Sequence, residues 1–407
     1  MEPIPYVRAA FDPKFPPLFS DASSVRAPVR IGIDIGPALG GPSGLQRYIQ
    51  NFLMALAKQD EDNEYFLTSF FWKGFPNRAF ELKLPSIPNF HIHLLRIPQR
   101  LLLPAEHYWG LRIHERLLAP LKLDLFHATS PILPRLNRLH SVLTVHHVGG
   151  IEPNPSLWRR FYFQRLSERS IAQAGLLIAI SEHTREALIR DYGVKPERVR
   201  TVYYGGADPA YRPEPGGEHL SPRGIRRPYF LFVSAINARK NLPVLARAFA
   251  ALQRERSGRY QLVFAAAREP DYFKTLIQIL HELGIEQHSL FLEGLSADEL
   301  RPLYQQAEAL VYPSILEGFG LPLLEAMACG TPVIAAKASC LPEIGGDACL
   351  YFEPSNAEAL TNAMRRVSIE ESLRRTLRIR GLLRAAQFTW ERNASETLKT
   401  YRDALAL

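Results

Sequence analysis

Short apolar runs alternate with helix-patterned segments along this chain, and the alternation breaks once. The break is a stretch dense in Pro, Gly and Arg, Gly205–Pro228, after which the pattern restarts. Strand, helix and strand in succession join parallel strands and lay the helices on the faces of the sheet. Two such series predict two doubly wound α/β domains in tandem, and a length of 407 residues suits two domains of ordinary size.

In the first series Val29–Asp34 reads as a buried strand. A Gly/Pro/Ser turn follows from Gly40 to Gly44, and then Leu45, Tyr48, Ile49, Phe52, Leu53 and Leu56 recur at helical spacing. Further strands are expected at Leu123–His127, Ser141–His146 and Gly175–Ile180. Ser181 has the character of an N-cap for a helix to Asp191, with Gly193 as its stop. The second series places strands at Tyr229–Ala235, Tyr260–Ala266, Ser289–Leu292, Ala309–Tyr312 and Val333–Ala335, and Ser296 with Glu299 forms a capping box. The expected organisation is a loose Pro-rich arm (1–28), a first domain (29–207), a linker (208–227), a second domain (228–388) and a last helix (389–407). That helix, patterned from Trp390 to Leu405, is open to crossing back onto the first domain.

The formal net charge of +8 suits an anionic partner: nucleic acid, an acidic membrane or a phosphorylated substrate. No run of five Lys or Arg supports a nucleic-acid tail. Cys329, Cys340 and Cys349 are odd in number and lack CxxC spacing, so they read as reduced thiols rather than metal ligands. Met1-Glu-Pro-Ile-Pro5 does not open a signal peptide, and no apolar run nears the ~18 residues of a membrane span. A cytoplasmic protein is expected. Residues 96–126, with Arg100, Trp109, Arg112 and Arg116, read either as a membrane-facing or lipid-acceptor surface or as ordinary helix packing with a basic outer face.

Open parallel sheets bind ligands at the carboxyl ends of their strands. There, Asn237-Ala-Arg239-Lys240-Asn241 follows a strand and precedes a helix. Arg grips phosphate with its planar fork and Lys adds a compact charge, so the pair fits a diphosphate, a solvated turn being the alternative. After Tyr312 comes a Gly-rich loop with Glu317, then a helix containing Glu325 and ending at Gly330. The amides of Gly318, Phe319 and Gly320 can bind hydroxyl or phosphate oxygens, and two carboxylates suit sugar and ribose hydroxyls. The Gly40–Gly44 turn is neither a P-loop nor GxGxxG. His146 and His147, adjacent on a strand, would face opposite sides and share no metal, although one of them can bond a substrate. Asp60-Glu61-Asp62 has the DxD form of some metal-binding transferases but lies in a polar stretch, Gln59 to Glu64, that reads as a solvated turn.

Together these segments resemble the retaining glycosyltransferases of family 4, which have the GT-B fold, from about residue 29 onward. Gly44-Leu-Gln-Arg-Tyr48 is similar to the family's segment opening the first helix. Arg239-Lys240-Asn241, Glu317 to Glu325 with Glu-Gly-Phe-Gly-Leu-Pro, Gly330-Thr-Pro-Val and Leu341-Pro-Glu-Ile-Gly-Gly-Asp347 are similar to its second-domain segments. The resemblance implies two Rossmann-like domains facing across a cleft, and a nucleotide-diphosphate sugar donor used without a metal or other cofactor. It implies that Arg239 and Lys240 hold the diphosphate and that Glu325 binds the ribose. Glu317 and the backbone of Gly318, Phe319, Gly320 and Leu321 would hold the transferred sugar, with Gly44 near the phosphates, the backbone around Gly294 near the base and His146 near the sugar. His147 and Gln46 depart from the family's usual residues, both on the acceptor side. Phe66 onward and the Arg-Lys-Asn style are most similar to mannosyltransferases using GDP-mannose; the acceptor implied is a glycan or a lipid-linked glycan. Two alternatives share the fold: a non-catalytic nucleotide-sugar-binding partner protein and a sugar-nucleotide epimerase. A dinucleotide oxidoreductase lacks its fingerprint here.

Overall fold

The structure, a computed structural model, describes residues 27–40, 44–70, 87–97, 99–149, 164–213, 224–255 and 258–407. The expected arm falls almost entirely outside these residues, as do the middle of the Gly40–Gly44 turn and half of the linker.

Two wholly parallel sheets form the frame. The first holds β1 (Arg30–Asp34), β2 (Glu64–Phe70), β3 (Phe90–Leu95), β4 (Leu125–Ala128), β5 (His140–Val145), β6 (Leu176–Ala179) and β7 (Val199–Thr201), in the order 3-2-1-4-5-6-7. The second holds β8 (Tyr229–Val233), β9 (Gln261–Ala265), β10 (Ser289–Leu292), β11 (Ala309–Tyr312), β12 (Val333–Ala336) and β13 (Cys349–Phe352), in the order 10-9-8-11-12-13. Each order reverses beside its first strand, between β1 and β4 and between β8 and β11. Such switch points open a crevice at the carboxyl edge of a sheet. The strands read as continuous apolar runs because helices cover both faces: every residue of β8, β9 and β11 is buried.

The helices begin where the caps lie. Ser181 accepts from the Thr184 amide at 3.1 Å to start Glu182–Tyr192, which Gly193 ends at φ +63°. Ser296 and Glu299 cap Ala297–Gln306 reciprocally. Four strands went unread in the sequence. Phe90–Leu95 has an exposed His91-Ile92 pair, Val199–Thr201 is three residues long, and Glu64–Phe70 and Cys349–Phe352 abut polar or glycine-rich turns.

The last helix, Trp390–Leu405, returns to the first sheet. It packs along Gly44–Gln59, Asn393 donates to the Tyr203 carbonyl at 2.7 Å, and Tyr401 meets His127 on β4 at 2.7 Å. The two crossings press together: a Cβ on Gly205 would lie 2.2 Å from the Trp390 ring. Across the cleft, both Glu343 oxygens accept from the first amides of Glu182–Tyr192, Glu182 at 2.6 Å and His183 at 3.0 Å. A carboxylate from one domain thus caps a helix of the other.

Candidate active site

The site grows from the switch point of the second sheet. Just past β8, a single turn of 3₁₀ helix, Ala238–Lys240, carries Arg239 and Lys240. Asn241, at φ +54°, then redirects the chain into the helix Leu242–Glu255. Past β11, the loop Pro313–Gly320 carries Glu317 between the strand and the helix Leu321–Ala328, and Glu325 lies within that helix.

Lys240 is only 1% exposed, so its ammonium needs partners, and it has them in the Glu317 carboxylate and the Tyr312 hydroxyl, the latter at 2.9 Å. Arg239 contacts the other Glu317 oxygen at 2.9 Å and donates to the Leu316 carbonyl at 3.0 Å. The Ser314 hydroxyl donates to Glu317 at 2.6 Å and the Tyr312 hydroxyl donates to it at 3.1 Å, while the Ser339 hydroxyl accepts from the Glu317 amide at 3.0 Å. Burial pushes the Lys240 ammonium down to about 8; Arg239 adds to the fall and Glu317 opposes it. Burial alone would raise the Glu317 carboxyl, but Lys240 and Arg239 outweigh it and hold it below its ordinary value.

The glycines of this loop answer to close contacts. A Cβ on Gly318 would stand 1.7 Å from the His146 carbonyl of the first domain, so only glycine lets the two loops meet. Gly320 sits at φ +95°, where a side chain would be strained. Among the described residues, the amides of Gly318, Phe319 and Gly320 have no acceptor, which leaves a nest of donors before a helix. Phe319 itself is buried against Tyr204 and Phe388, so its ring serves the junction between domains.

Glu325 stands apart from Glu317. It accepts from Tyr304 at 2.7 Å and from Arg47, which reaches over from the first domain. Gly44, exposed at the start of Gly44–Gln59, and Gly294, exposed beyond β10 at φ +66°, have open space around them. The structure therefore gathers Arg239, Lys240, Glu317 and the Gly318–Leu321 backbone into one cluster, with Glu325 beside Arg47 as a second.

His146 lies just past β5 and spends both ring nitrogens inside its own domain, on the Tyr204 hydroxyl (2.5 Å) and the Thr129 carbonyl (2.7 Å). In this structure His146 meets the second domain through its carbonyl, which lies against Gly318. His147, exposed, lies within electrostatic reach of Arg239 and Glu317. Asp60, read as part of a solvated turn, is structural. Its oxygens accept from the amides of Asp62 and Asn63, the Asn63 side chain and the Tyr65 hydroxyl. The three cysteines are buried thiols. Sequence reading left unassigned Arg47, Tyr304, Tyr312, Ser314 and Ser339, which complete the site through contacts that no local spacing displays.

This fold and this cleft define a GT-B glycosyltransferase, and comparison with known proteins agrees. The family description Glycosyltransferase Family 4 matches residues 42–211, and Glycosyl transferases group 1 matches residues 222–383. The chain is 29% identical to the O-antigen chain mannosyltransferase B of Escherichia coli over 88% of its own length and 96% of that protein. It is 31% identical to the MMP alpha-(1->4)-mannosyltransferase of Mycolicibacterium hassiacum over 65% of its length and 66% of that protein. It also matches the serotype-specific mannosyltransferase WbdA of Escherichia coli at 27% identity over 60% of its length, spanning about 30% of that longer protein. In fold it is similar to sucrose-phosphate synthase from Thermosynechococcus elongatus (TM-score 0.70, 21% identity, 93% of this chain and 99% of that one). A similar likeness holds to HepE from Anabaena in complex with UDP-glucose (TM-score 0.67, 19% identity, 91% and 99%). The chain belongs to the family 4 glycosyltransferases, in their mannosyltransferase-like group.

Proposed function

We propose that this chain transfers mannose from GDP-mannose to a glycan or lipid-linked glycan, with retention of anomeric configuration and without a metal ion. The observation that carries this reading is the Arg239–Lys240–Glu317 cluster beneath the free amides of Gly318–Gly320, at the switch point of the second sheet. Two cations and a helix N-terminus can neutralise a departing diphosphate, the charge that develops as the sugar leaves. The donor sugar is proposed from the relatives named as mannosyltransferases.

Retention is part of this reading, and the ties on Glu317 bear on how it would come about. Its oxygens are tied to Lys240, Arg239, Ser314 and Tyr312, so it suits sugar hydroxyls better than attack on the anomeric carbon. The retaining route proposed is front-face displacement. The bond from the anomeric carbon to phosphate oxygen breaks, the acceptor oxygen bonds the same face, and the departing phosphate takes the acceptor proton. Proton NMR of the first product, before mutarotation, should show the donor's anomer; the inverted anomer would overturn the mechanism. Transfer in excess EDTA should continue, whereas complete loss restored by Mn²⁺ would refute metal independence. Thermal shifts with GDP, UDP and their sugars test the donor, since a ligand at about 100 times its Kd adds roughly 2.7 kcal/mol.

No helix among the described residues is long and apolar enough to cross a membrane. A separate cavity of about 330 Å³ in the first domain is lined by Arg112, Arg116, Lys122 and Arg138 together with Glu115, and Trp109, close by in sequence, is exposed. These residues support peripheral contact with an anionic bilayer, which flotation with phosphatidylglycerol vesicles tests.

A further inference from the structure

We infer that Arg47 is a third donor-binding cation, supplied by the opposite domain, whose guanidinium bridges the Glu325 carboxylate and the donor diphosphate. This rests on the reading of the cleft as a nucleotide-diphosphate sugar site. Arg47 stands in the first turn of Gly44–Gln59 and meets Glu325, 278 residues away, at 2.5 Å. Glu325 is 2% exposed, while the Arg47 side chain is 40% exposed. The carboxylate end of this pair is therefore sealed and the guanidinium end is open. Among the described residues Glu325 is Arg47's hydrogen-bond partner. A guanidinium has five N–H donors in a planar fork, so one edge can hold a carboxylate while the other grips phosphate.

The surroundings point the same way. Lys240 is almost wholly buried and Arg239 leans on Glu317, so the second domain offers a diphosphate two cations already engaged with one carboxylate. Arg47 adds a cation from the first domain, paired with the second carboxylate, Glu325. Beside it the Tyr211 hydroxyl is buried without a hydrogen-bond partner; its ring lies 5.6 Å from that of Tyr304, which itself holds Glu325. A buried donor left open next to a carboxylate marks a corner that a polar ligand completes. Because Arg47 and Glu325 belong to different domains, a ligand held by both ties donor binding to closure of the cleft.

The test compares a nucleoside diphosphate with its nucleoside by calorimetry, using whichever of GDP and UDP stabilises the wild type more. In Arg47→Ala the diphosphate should bind at least about tenfold more weakly while the nucleoside stays within about twofold, and Arg47→Lys should recover part of the loss. Glu325→Gln breaks the same ion pair from the other side and should weaken both ligands, the diphosphate by the larger factor because Arg47 loses the carboxylate that positions it. Equal losses for both ligands in Arg47→Ala would mean that Arg47 only positions Glu325, and no loss would mean that it binds neither; each overturns the inference. A wild type that binds no nucleoside diphosphate would instead overturn the functional reading beneath it. Arg47→Lys, nearly isosteric and still charged, keeps the comparison valid should the alanine variant be unstable.

Discussion

Replacing Glu317 by Gln should destabilise the second domain by an amount that depends on pH, and the structure sets the scale. Gln keeps the shape of the side chain and can still accept from Ser314, but it removes the charge that faces Lys240 and Arg239. An ammonium 1% exposed and stripped of its counter-charge can escape by losing its proton. Relative to an unfolded lysine near 10.5, that escape costs about 1.4 kcal/mol for each pH unit below 10.5, hence about 4 kcal/mol at pH 7.5 and about 6 at pH 6. In the native pairing Lys240 titrates near 8, so its charged form already carries about 3 kcal/mol of that burden. The added penalty of Glu317→Gln through Lys240 is then capped at about 1 kcal/mol at pH 7.5 and at about 3 at pH 6. The sign follows from proton counting. With its pKa depressed further, Lys240 in the folded variant binds fewer protons than in the unfolded chain, so stability falls as pH falls. Urea unfolding of wild type and variant at pH 6, 7.5 and 9 measures the difference. A penalty that is constant across this range, or larger at pH 9, would refute the view that Lys240 is a strained ammonium held charged by Glu317.

Catalytic efficiency of the wild type should fall above about pH 8 as free Lys240 loses its proton, and Lys240→Arg should move that limb to higher pH. Gly318→Ala must displace a backbone carbonyl that would otherwise lie 1.7 Å from the new Cβ, so kcat/KM should drop on the order of 10²-fold with the unfolding midpoint little changed; unaltered kinetics would show that the two loops do not need to meet. His127, fully buried between Tyr401 and Thr144, is pushed by burial down to about 3, whereas an unfolded histidine titrates near 6.5. The stability this neutral histidine permits is present above pH 6.5 and declines as pH falls toward 3, by roughly 3 kcal/mol at pH 4.5, and His127→Asn should flatten the slope seen by urea unfolding.

The parts of this architecture that were legible in the sequence are those whose signal is local. A buried parallel strand is a short apolar run, a helix start is Ser181 or the Ser296–Glu299 box, and a switch-point loop is a cation pair or a Gly-rich stretch directly after such a run. Each survives in the structure close to where it was read. The parts that were not legible depend on partners distant in the chain. Asp60 read as part of a solvated turn because nothing local says that Tyr65 and Asn63 bury and consume its oxygens. His146 looked available because nothing nearby in sequence says that Tyr204, 58 residues on, takes its Nδ1. Arg47 lay inside a segment chosen for its glycine, and no spacing rule connects it to a carboxylate in the other domain.

The same long-range pairings explain how a cleft so rich in charge can exist before donor arrives. Its five central groups are three cations, Arg47, Arg239 and Lys240, and two carboxylates, Glu317 and Glu325, a net charge of +1. Left unpaired, buried charges of this kind would each cost several kcal/mol, and removing one member of such a pair typically costs about 3–5. Here each carboxylate is matched by a cation from a different element: Glu317 by the turn after β8, Glu325 by the first helix of the opposite domain. A diphosphate entering on the Gly318–Gly320 amides need not break these pairs, because Arg239 and Arg47 each keep donors beyond the ones their carboxylates use. The carboxylates hold the cations in position and the surplus charge attracts the anion. On the reading proposed here, the charges that stabilise the empty cleft are the same ones that would stabilise a leaving diphosphate, already oriented before the reaction begins.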